Sequence, residues 1–414
     1  MRNAWPRAKL GDVTVNYDAR RVPVREADRK PGPYPYYGAS GVVDHVDDYL
    51  FDGLYLLIAE DGENLRTRQT PVAFLANGRF WVNNHAHIIT GNERADTRYL
   101  CYALAAADIG GYLTGSAMPK LSQLAMNAIE LPLPSLDDQR GIAGMLGALD
   151  DAIEHNRRTS RALERLARAI FRAWFVDFEP VHAKATGATS FLSMPQNIFD
   201  SLPTTFTPSE LGPIPDEWSV GVLRNVSTEH REQVTPKDVD PRTPYIGLEH
   251  MPRRSVTLAE WGQAGKVTSG KLRFRARQIL FGKLRPYFHK VGIAPLDGVC
   301  STDIVVFGPT SPEWFSFLLE HASSNDFVSY TNACSTGTKM PRTNWGDMSR
   351  YPVVKPPIEL AEKFNEIVSP MFDWILEAIF ESRKLAELRD YLLPKLLSGY
   401  VRVRDRALLD EENT

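Results

Sequence analysis

The chain contains the same pattern twice. Gly115-Ser-Ala-Met118-Pro119-Lys120 returns as Gly337-Thr-Lys-Met340-Pro341-Arg342, a shift of 222 residues. At that same shift Pro134-Ser-Leu136 meets Pro356-Pro-Ile358. Further on, Ile142, Leu146, Leu149, Ile153, Ser160, Arg161, Leu163, Leu166 and Ile170 meet Phe364, Val368, Met371, Ile375, Ser382, Arg383, Leu385, Leu388 and Leu392. Upstream the register drifts. Trp5…Leu10-Gly-Asp-Val13 resembles Trp218…Leu223-Arg-Asn-Val226 at 213, and Pro35-Tyr-Tyr-Gly38 resembles Pro244-Tyr-Ile-Gly247 at 209. A duplicated chain must bury the same faces twice, so the fold is a tandem of two similar halves. Each half opens with a module whose length varies and closes with one whose length is fixed.

The fixed modules have helical spacing. Leu146, Leu149, Ile153, Leu163, Ile170 and Trp174 recur three and four apart, with polar Asn156 and Ser160 at two positions of the stripe. Phe364, Val368, Met371, Ile375, Ala378, Ser382, Leu385, Leu388 and Leu392 follow the same frame. Acidic residues in each first turn (Asp137, Asp138; Glu359, Glu362) suit a helix N-terminus. Pro394 and Gly399 are stop signals for the second helix. Rods of roughly 55–60 Å follow from the rise of an α-helix. Two matched stripes of this length predict an intramolecular coiled coil.

The variable modules are β-rich. Tyr55–Ala59, Val72–Leu75, His87–Thr90, Gln278–Phe281 and Ile304–Phe307 are short apolar runs between turn residues, and a helical piece follows at Arg98–Ala105 and at Glu313–Glu320. The Pro-, Thr-, Ser- and Ala-rich stretch from Glu179 to Pro215 is expected to be a linker between halves. Three cysteines, Cys101, Cys300 and Cys334, give neither a disulfide framework nor a zinc cage. With no apolar leader at the N-terminus and no run long enough to span a bilayer, a soluble cytoplasmic protein is expected.

A search for catalytic machinery finds little. A nuclease of the Asp…Glu-x-Lys kind is unsupported, because the chain has no Glu-x-Lys and its Asp28-Arg-Lys30 runs into Pro31-Gly-Pro33. Gly141-Ile-Ala-Gly144-Met-Leu-Gly147 lies inside a helix and is better explained by close helix packing than by cofactor binding. Lys355-Pro-Pro-Ile358 lacks the aromatic that an adenine methyltransferase places at its target base, and no P-loop occurs. His85-Ala-His87 has no third ligand nearby, so no metal is assigned. No cofactor and no catalytic residue is expected.

Charge is more informative. Lys+Arg of 48 against Asp+Glu of 51 gives a net charge of −3, which excludes a uniformly basic coat. Yet Met251 to Lys290 holds ten Lys/Arg and one acid, Glu260. Lys271, Arg273, Arg275 and Arg277 alternate with Leu272, Phe274 and Ala276, which in a strand puts all four cations on one face. Lys283, Arg285 and Lys290 follow in Phe281-Gly-Lys-Leu-Arg-Pro-Tyr-Phe-His-Lys290. Such cations neutralise phosphates, and arginine reads guanine. A solvated edge strand is the competing explanation. The first module differs, with seven acids and no Lys or Arg from Gly41 to Glu63; Arg66, Arg68, Asn83 and Asn84 are its candidate DNA contacts.

Two unlike recognition modules on matched rods suit a protein that reads two short DNA sequences at a fixed gap, since half-sites on one face of B-DNA repeat about every 34–36 Å. Over essentially its whole length the chain resembles the specificity (S) subunit of type I restriction–modification systems. The resemblance is carried by the Gly-x-x-Met-Pro loops, the proline-rich approach to each helix, Phe281-Gly-Lys-Leu-Arg-Pro-Tyr287, Leu388-Arg-Asp-Tyr-Leu-Leu-Pro-Lys-Leu-Leu-Ser-Gly399 and the order of the repeats.

The resemblance implies an α+β fold with two β-rich target-recognition domains in tandem pseudo-repeat, separated by two long antiparallel helices. The corresponding ranges are 1–134 and 213–356 for the domains, 135–178 and 357–399 for the helices, 179–212 for the linker and 400–414 for a C-terminal tail. It also implies a non-catalytic subunit that binds double-stranded DNA, reads a bipartite asymmetric target, and docks two methyltransferase (modification) subunits, with restriction subunits joining for cleavage. S-adenosylmethionine and ATP then belong to the partners. Phe171, Phe175, Trp374 and Phe380 are surplus to one helical seam and are candidates for partner contact. A stand-alone methyltransferase or nuclease with an unfamiliar site, or a scaffolding coiled coil, are the alternatives.

Overall fold

The structure, a computed structural model, describes residues 5–192 and 194–403; the first four residues and residues 404–414 of the tail lie outside it. The chain divides into two compact units, Met1–Ile153 with Lys384–Thr414, and Glu154–Arg383. Both boundaries fall inside the long helices, Leu136–Phe175 and Ile358–Leu397, each of 40 residues. At 1.5 Å per residue each helix is about 60 Å long. Among the described residues no helix is long and apolar enough to cross a membrane.

In the first unit a six-stranded sheet runs in the order Thr14–Asn16, Ala86–Gly91, Phe51–Ala59, Ala73–Val82, Tyr34–Gly38, Gly41–Val46. Its pairs are antiparallel except Tyr34–Gly38 against Ala73–Val82, which is parallel. The helix Thr97–Ala106 is capped by Asp96, whose side chain accepts the Arg98 and Tyr99 amides. This helix buries Tyr99, Leu100, Ala103 and Leu104 in one cluster with Leu56, Ile58, Ile142, Leu146, Leu396 and Leu397. Asp150 fixes the long helices here, accepting from the Tyr102 hydroxyl at 2.6 Å and from Arg389 Nη1 at 2.7 Å.

In the second unit two sheets replace one. Five strands run Glu232–Val234, Lys271–Phe274, Gly298–Cys300, Pro244–Ile246, Gly262–Gln263, and four run Ser227–Glu229, Ile304–Pro309, Ile279–Gly282, Val291–Ile293. The long helices are antiparallel here. Asn156 Nδ2 donates to Glu381 Oε2 (2.9 Å) and Ser382 Oγ (3.3 Å), while Phe171, Trp174 and Phe175 meet Phe364 with ring centroids 5.1–6.0 Å apart. The polar stripe position thus pairs across the seam and leaves no buried amide stranded.

Both modules close in the same way. Arg7–Lys9 pairs antiparallel with Glu130–Pro132, and Ser219–Val222 pairs antiparallel with Pro352–Lys355. A short 3-10 turn follows each opening strand, with Leu10 N bonded to Ile129 O and Leu223 N to Tyr351 O. The resemblance near the start of each half is therefore one local structure built twice.

Three expectations need correction. The stretch read as a linker is folded: helices Glu179–Ala185 and Gln196–Ser201 and the hairpin Phe206–Ser209/Gly212–Pro215 occupy it. Its Val181, Ile198, Phe199 and Leu202 are buried in the same core as Trp174 and Trp218, apolar content that the Pro/Ser/Thr composition concealed. Phe171 and Phe175, proposed for partner contact, are buried against Phe317 and Phe364 of their own unit. Trp374 is partly buried on that core, and the half-exposed Phe380 ring meets Trp261 at 6.0 Å. Helix packing also fails to explain every glycine of 141–147: a Cβ on Gly141 would meet Val403 at 3.3 Å, but one on Gly144 would enter open space.

Candidate nucleic-acid interface

A three-way junction of main chain gathers Arg66, Asn83 and Asn84 of the first module. The strand Phe51–Ala59 runs out into Glu60-Asp61-Gly62, which bonds on one side to the turn after Val82 (Glu60 N to His85 O, 2.9 Å). On the other side it bonds to the Met-Pro loop, through Leu121 N to Glu60 O (2.8 Å) and Gly62 N to Pro119 O (3.1 Å). The loop closes on itself by reciprocal amide–carbonyl bonds between Thr114 and Lys120, both 2.8 Å, around Gly115 at φ +84°. A glycine is needed there because positive φ strains other residues. Lys120 Nζ lies 3.3 Å from Glu60 Oε1.

The second module repeats this junction bond for bond. Lys283 N bonds to Asp303 O (2.9 Å), Thr343 N to Lys283 O (3.1 Å) and Arg285 N to Pro341 O (2.7 Å). Thr336 and Arg342 close the loop at 3.0 and 2.9 Å around Gly337 at φ +97°. Arg342 Nε lies 3.1 Å from Asp303 Oδ1. Asn83 and Ser301 are equivalent: each amide bonds a parallel strand (Tyr37 O, Ile246 O; 3.0 Å each) and each side chain caps its turn (His85 N, Asp303 N). Arg285 stands where the first module has Gly62, at φ +51°. A non-glycine residue held in the left-handed region marks a place where side-chain identity outweighs backbone comfort.

Side chains at the two junctions differ. In the first, Asn84 is exposed, His85 Nδ1 meets Asp61 at 2.8 Å, and Arg66 Nη2 donates to the loop carbonyls of Gly115 (2.7 Å) and Ser116 (3.2 Å). In the second, Lys283 and Arg285 are half-buried and the Arg285 guanidinium lies 5.8 Å from the Phe288 ring centroid. Arg66, Asn83, Asn84, Lys283 and Arg285 are therefore brought to the junctions. Asn83 is buried there with its carbonyl spent on the turn, so Asn84 is the amide open to a ligand.

The remaining cations are placed elsewhere, and the alternating strand is shorter than its sequence pattern. The strand ends at Phe274; Arg275 N bonds Gln278 Oε1, Ala276 N bonds Asp297 Oδ1, and Arg277 turns back at φ +66°. The four cations do not share a face. Lys271 is buried, its ammonium donating to Ser269 Oγ, Ser269 O and Gly270 O, and burial pulls its pKa down. Arg273 pairs with Glu232 at 2.7 Å and Arg275 with Asp297 at 3.3 Å. Arg277 pairs with Asp373, donates to Ser369 Oγ, and lies 4.7 Å from the Phe315 ring centroid. Arg68 donates to the Ala105 and Ala107 carbonyls near the helix end, and Lys290 donates to Leu248 O.

A buried ionic network supports the first junction. His87 Nδ1 meets Asp18 Oδ2 at 2.5 Å and His87 Nε2 meets the Leu121 carbonyl at 2.8 Å, so both ring nitrogens face acceptors. Burial alone disfavours the imidazolium, but the bonds to Asp18 and Leu121 and the charges of Asp18 and Glu60 outweigh it and raise the His87 pKa. Burial of Asp18 is likewise outweighed by His87, the Ile88 amide and Arg21, which hold its carboxyl below the usual range. Arg21 Nη1 donates to Glu60 Oε2 at 2.8 Å and to Ala86 O. Among the described residues no group of three His, Cys, Asp or Glu is arranged to hold a metal.

Residues 3–165 match the family model described as "Type I restriction modification DNA specificity domain". The chain is similar over most of its length to the type I restriction enzyme MjaIX specificity subunit of Methanocaldococcus jannaschii, 23% identical over 90% of this chain and 85% of that one. It is also similar to the EcoDI specificity subunit of Escherichia coli, 24% identical over 89% and 81%. Residues 3–165 thus carry the match to the specificity domain, and the chain as a whole is similar to type I specificity subunits. The crystal structure of the type I S subunit from M. genitalium shares the fold, with a TM-score of 0.61 and 14% identity over 96% of this chain and 97% of that one. The family model covers the first junction, while the second, outside the matched residues, is recognised by repeating the first bond for bond.

One buried residue escaped sequence reasoning. Glu164, buried on the first long helix, accepts at Oε1 from Ser255 Oγ, Val256 N, Thr257 N and Thr257 Oγ1 at 2.6–3.1 Å. It bonds the loop 255–257 to the helix. The only sequence signal was an acid on the apolar stripe, one position after Leu163.

Proposed function

We propose that this chain is the DNA-recognition subunit of a type I restriction–modification complex. It carries no catalytic step of its own; methylation and cleavage belong to partner subunits. Each module reads one part of an asymmetric bipartite sequence in double-stranded DNA. The observation that carries this is the junction built twice on the same main-chain bonds with unlike side chains, Asn84, His85 and Arg66 in one and Lys283, Arg285 and Thr302 in the other. A common frame carrying different donors is what a reader of two different half-sites needs.

In this reading 1–134 and 213–356 are the target-recognition domains, and the helices dock two methyltransferase subunits, with restriction subunits joining for cleavage. It works in the cytoplasm, with the DNA it reads. Arg66, Asn84, Lys283 and Arg285 contact the target directly. Arg273 and Arg275, whose partners Glu232 and Asp297 lie at the surface, can exchange those weak pairs for phosphates. A stand-alone methyltransferase or nuclease is disfavoured by the family match.

The test is methylation mapping of DNA from cells that express this chain with its modification subunit, compared with that subunit alone. A bipartite adenine-methylated motif that requires this chain is the expected result. Association with the modification subunit but no motif, from a wild-type chain, would remove the recognition role. Lys283→Ala or Arg285→Ala should relax the half-site read by the second module and leave the other unchanged.

A further inference from the structure

We infer that Met118 and Met340 are a matched pair of apolar tips that press against the DNA duplex at equivalent places in the two half-sites, without reading sequence; this rests on the DNA-recognition role proposed above. Around each junction the exposed chemistry has diverged. Gly62 faces Arg285 across the repeat, Asp61 faces Leu284, Asn84 faces Thr302 and His85 faces Asp303. Only the loop keeps its chemistry: glycine at positive φ, methionine, proline and then a cation paired to an acid (Lys120–Glu60, Arg342–Asp303).

The methionines stand out in water at 65% and 47% exposure. A large apolar side chain kept exposed twice, on a loop whose other features are spent on holding it there, is poorly explained by folding. The reciprocal Thr114/Lys120 and Thr336/Arg342 bonds and the proline after each methionine fix the tip in advance, so little ordering cost is incurred on contact. Methionine is unbranched and polarizable, and it adapts to an irregular apolar surface.

A part that varies between the modules can read what varies between half-sites; a part that repeats must meet something that repeats. In a duplex that is the sugar edges and the stacked base faces, against which apolar side chains, methionine and proline included, act as wedges. The candidate reading residues fix the place. Arg66 bonds the Gly115 and Ser116 carbonyls of one loop, and Arg285 bonds Pro341 of the other. Wherever those residues reach DNA, the tips arrive with them. The cations common to both loops, Lys120 and Arg342, are held by Glu60 and Asp303, acids more buried than the surface partners Glu232 and Asp297 of Arg273 and Arg275, so the shared contact is apolar rather than ionic.

The experiment uses the complete complex of this chain with its methyltransferase subunits and a mixed-sequence DNA duplex, with affinity measured across a range of salt. Met118→Ala and Met340→Ala should each weaken binding about fivefold, as loss of a buried thioether contact implies. The double variant should show the product of the two losses. The slope of log affinity against log salt should not change, because no phosphate contact is lost, and Met→Leu at both sites should restore most of the affinity. Unchanged affinity in the double variant, or a changed salt slope, would overturn the inference. So would loss of methyltransferase subunits from the alanine complexes, which would assign the tips to a protein partner. A wild-type complex that binds no DNA would remove the recognition role itself, and this inference with it.

Discussion

Glu164 shows how much can hang on one side chain. Its Oε1 satisfies two main-chain amides and two hydroxyls of a loop more than ninety residues downstream. Glu164→Ala leaves the buried Val256 amide without a partner, and a loss of about 2–4 kcal/mol in unfolding free energy is expected by denaturant titration. Glu164→Gln keeps a carbonyl acceptor and should cost less than half as much. Titratable groups add a pH dependence of known sign. The raised His87 pKa means its contribution is complete below the unfolded value of about 6.5 and is lost as pH rises through the folded value. The lowered Asp18 pKa means its contribution is present above about 3.9 and is lost only as pH falls through the folded value. His87→Gln should therefore lower Tm more near pH 6 than near pH 9. In the second unit burial pushes the Glu320 carboxyl up to about 8, against the opposing charge of Arg168 and with help from Glu164. An acid raised in this way costs stability as pH climbs from its unfolded value toward 8. Glu320→Gln should consequently raise Tm at pH 8 and flatten the profile between there and about pH 5.

At the level of elements, the two long helices were legible because their information is local: a stripe at three- and four-residue spacing needs no distant partner to be read. The short strands at 51–59, 86–91, 279–282 and 304–309 were legible for the same reason, being apolar runs between turn residues. The alternation from Lys271 to Arg277 misled because it is broken from outside. Asp297, twenty-one residues away, takes the Ala276 amide and draws the chain out of the strand. The folded segment after Glu179 was hidden by its prolines and serines, although Val181, Ile198, Phe199 and Leu202 were there to be buried. Of the candidate site, the loops were visible as a repeated motif; their docking onto Glu60–Gly62 and Lys283–Arg285 was not, since main-chain bonds leave no mark in sequence. The helix seam offers its own test. Asn156→Ala should remove both bonds across the seam without adding apolar contact and lower the stability of the second unit by about 1–2 kcal/mol, measured by thermal or denaturant unfolding.

For the whole molecule, the prediction concerns the unread gap. We expect that one heptad added to each long helix at matched positions keeps the apolar stripe in phase. Methylation mapping should then report the same two half-sites with a longer spacer. An unchanged spacer would separate the helices from the setting of that gap.

The paired strands that open and close each module carry a consequence for how such a protein diversifies. In both halves the chain arrives on one strand of a two-stranded ladder and leaves on the other, Arg7–Lys9 beside Glu130–Pro132 and Ser219–Val222 beside Pro352–Lys355. Everything that differs between the modules, one sheet in the first and two in the second, is strung between those neighbouring ends. Each module is thus a cassette in a socket of fixed width. A gene segment bounded by the same two strands could be exchanged by recombination, bringing a new binding preference with it while the helices downstream remain unaltered.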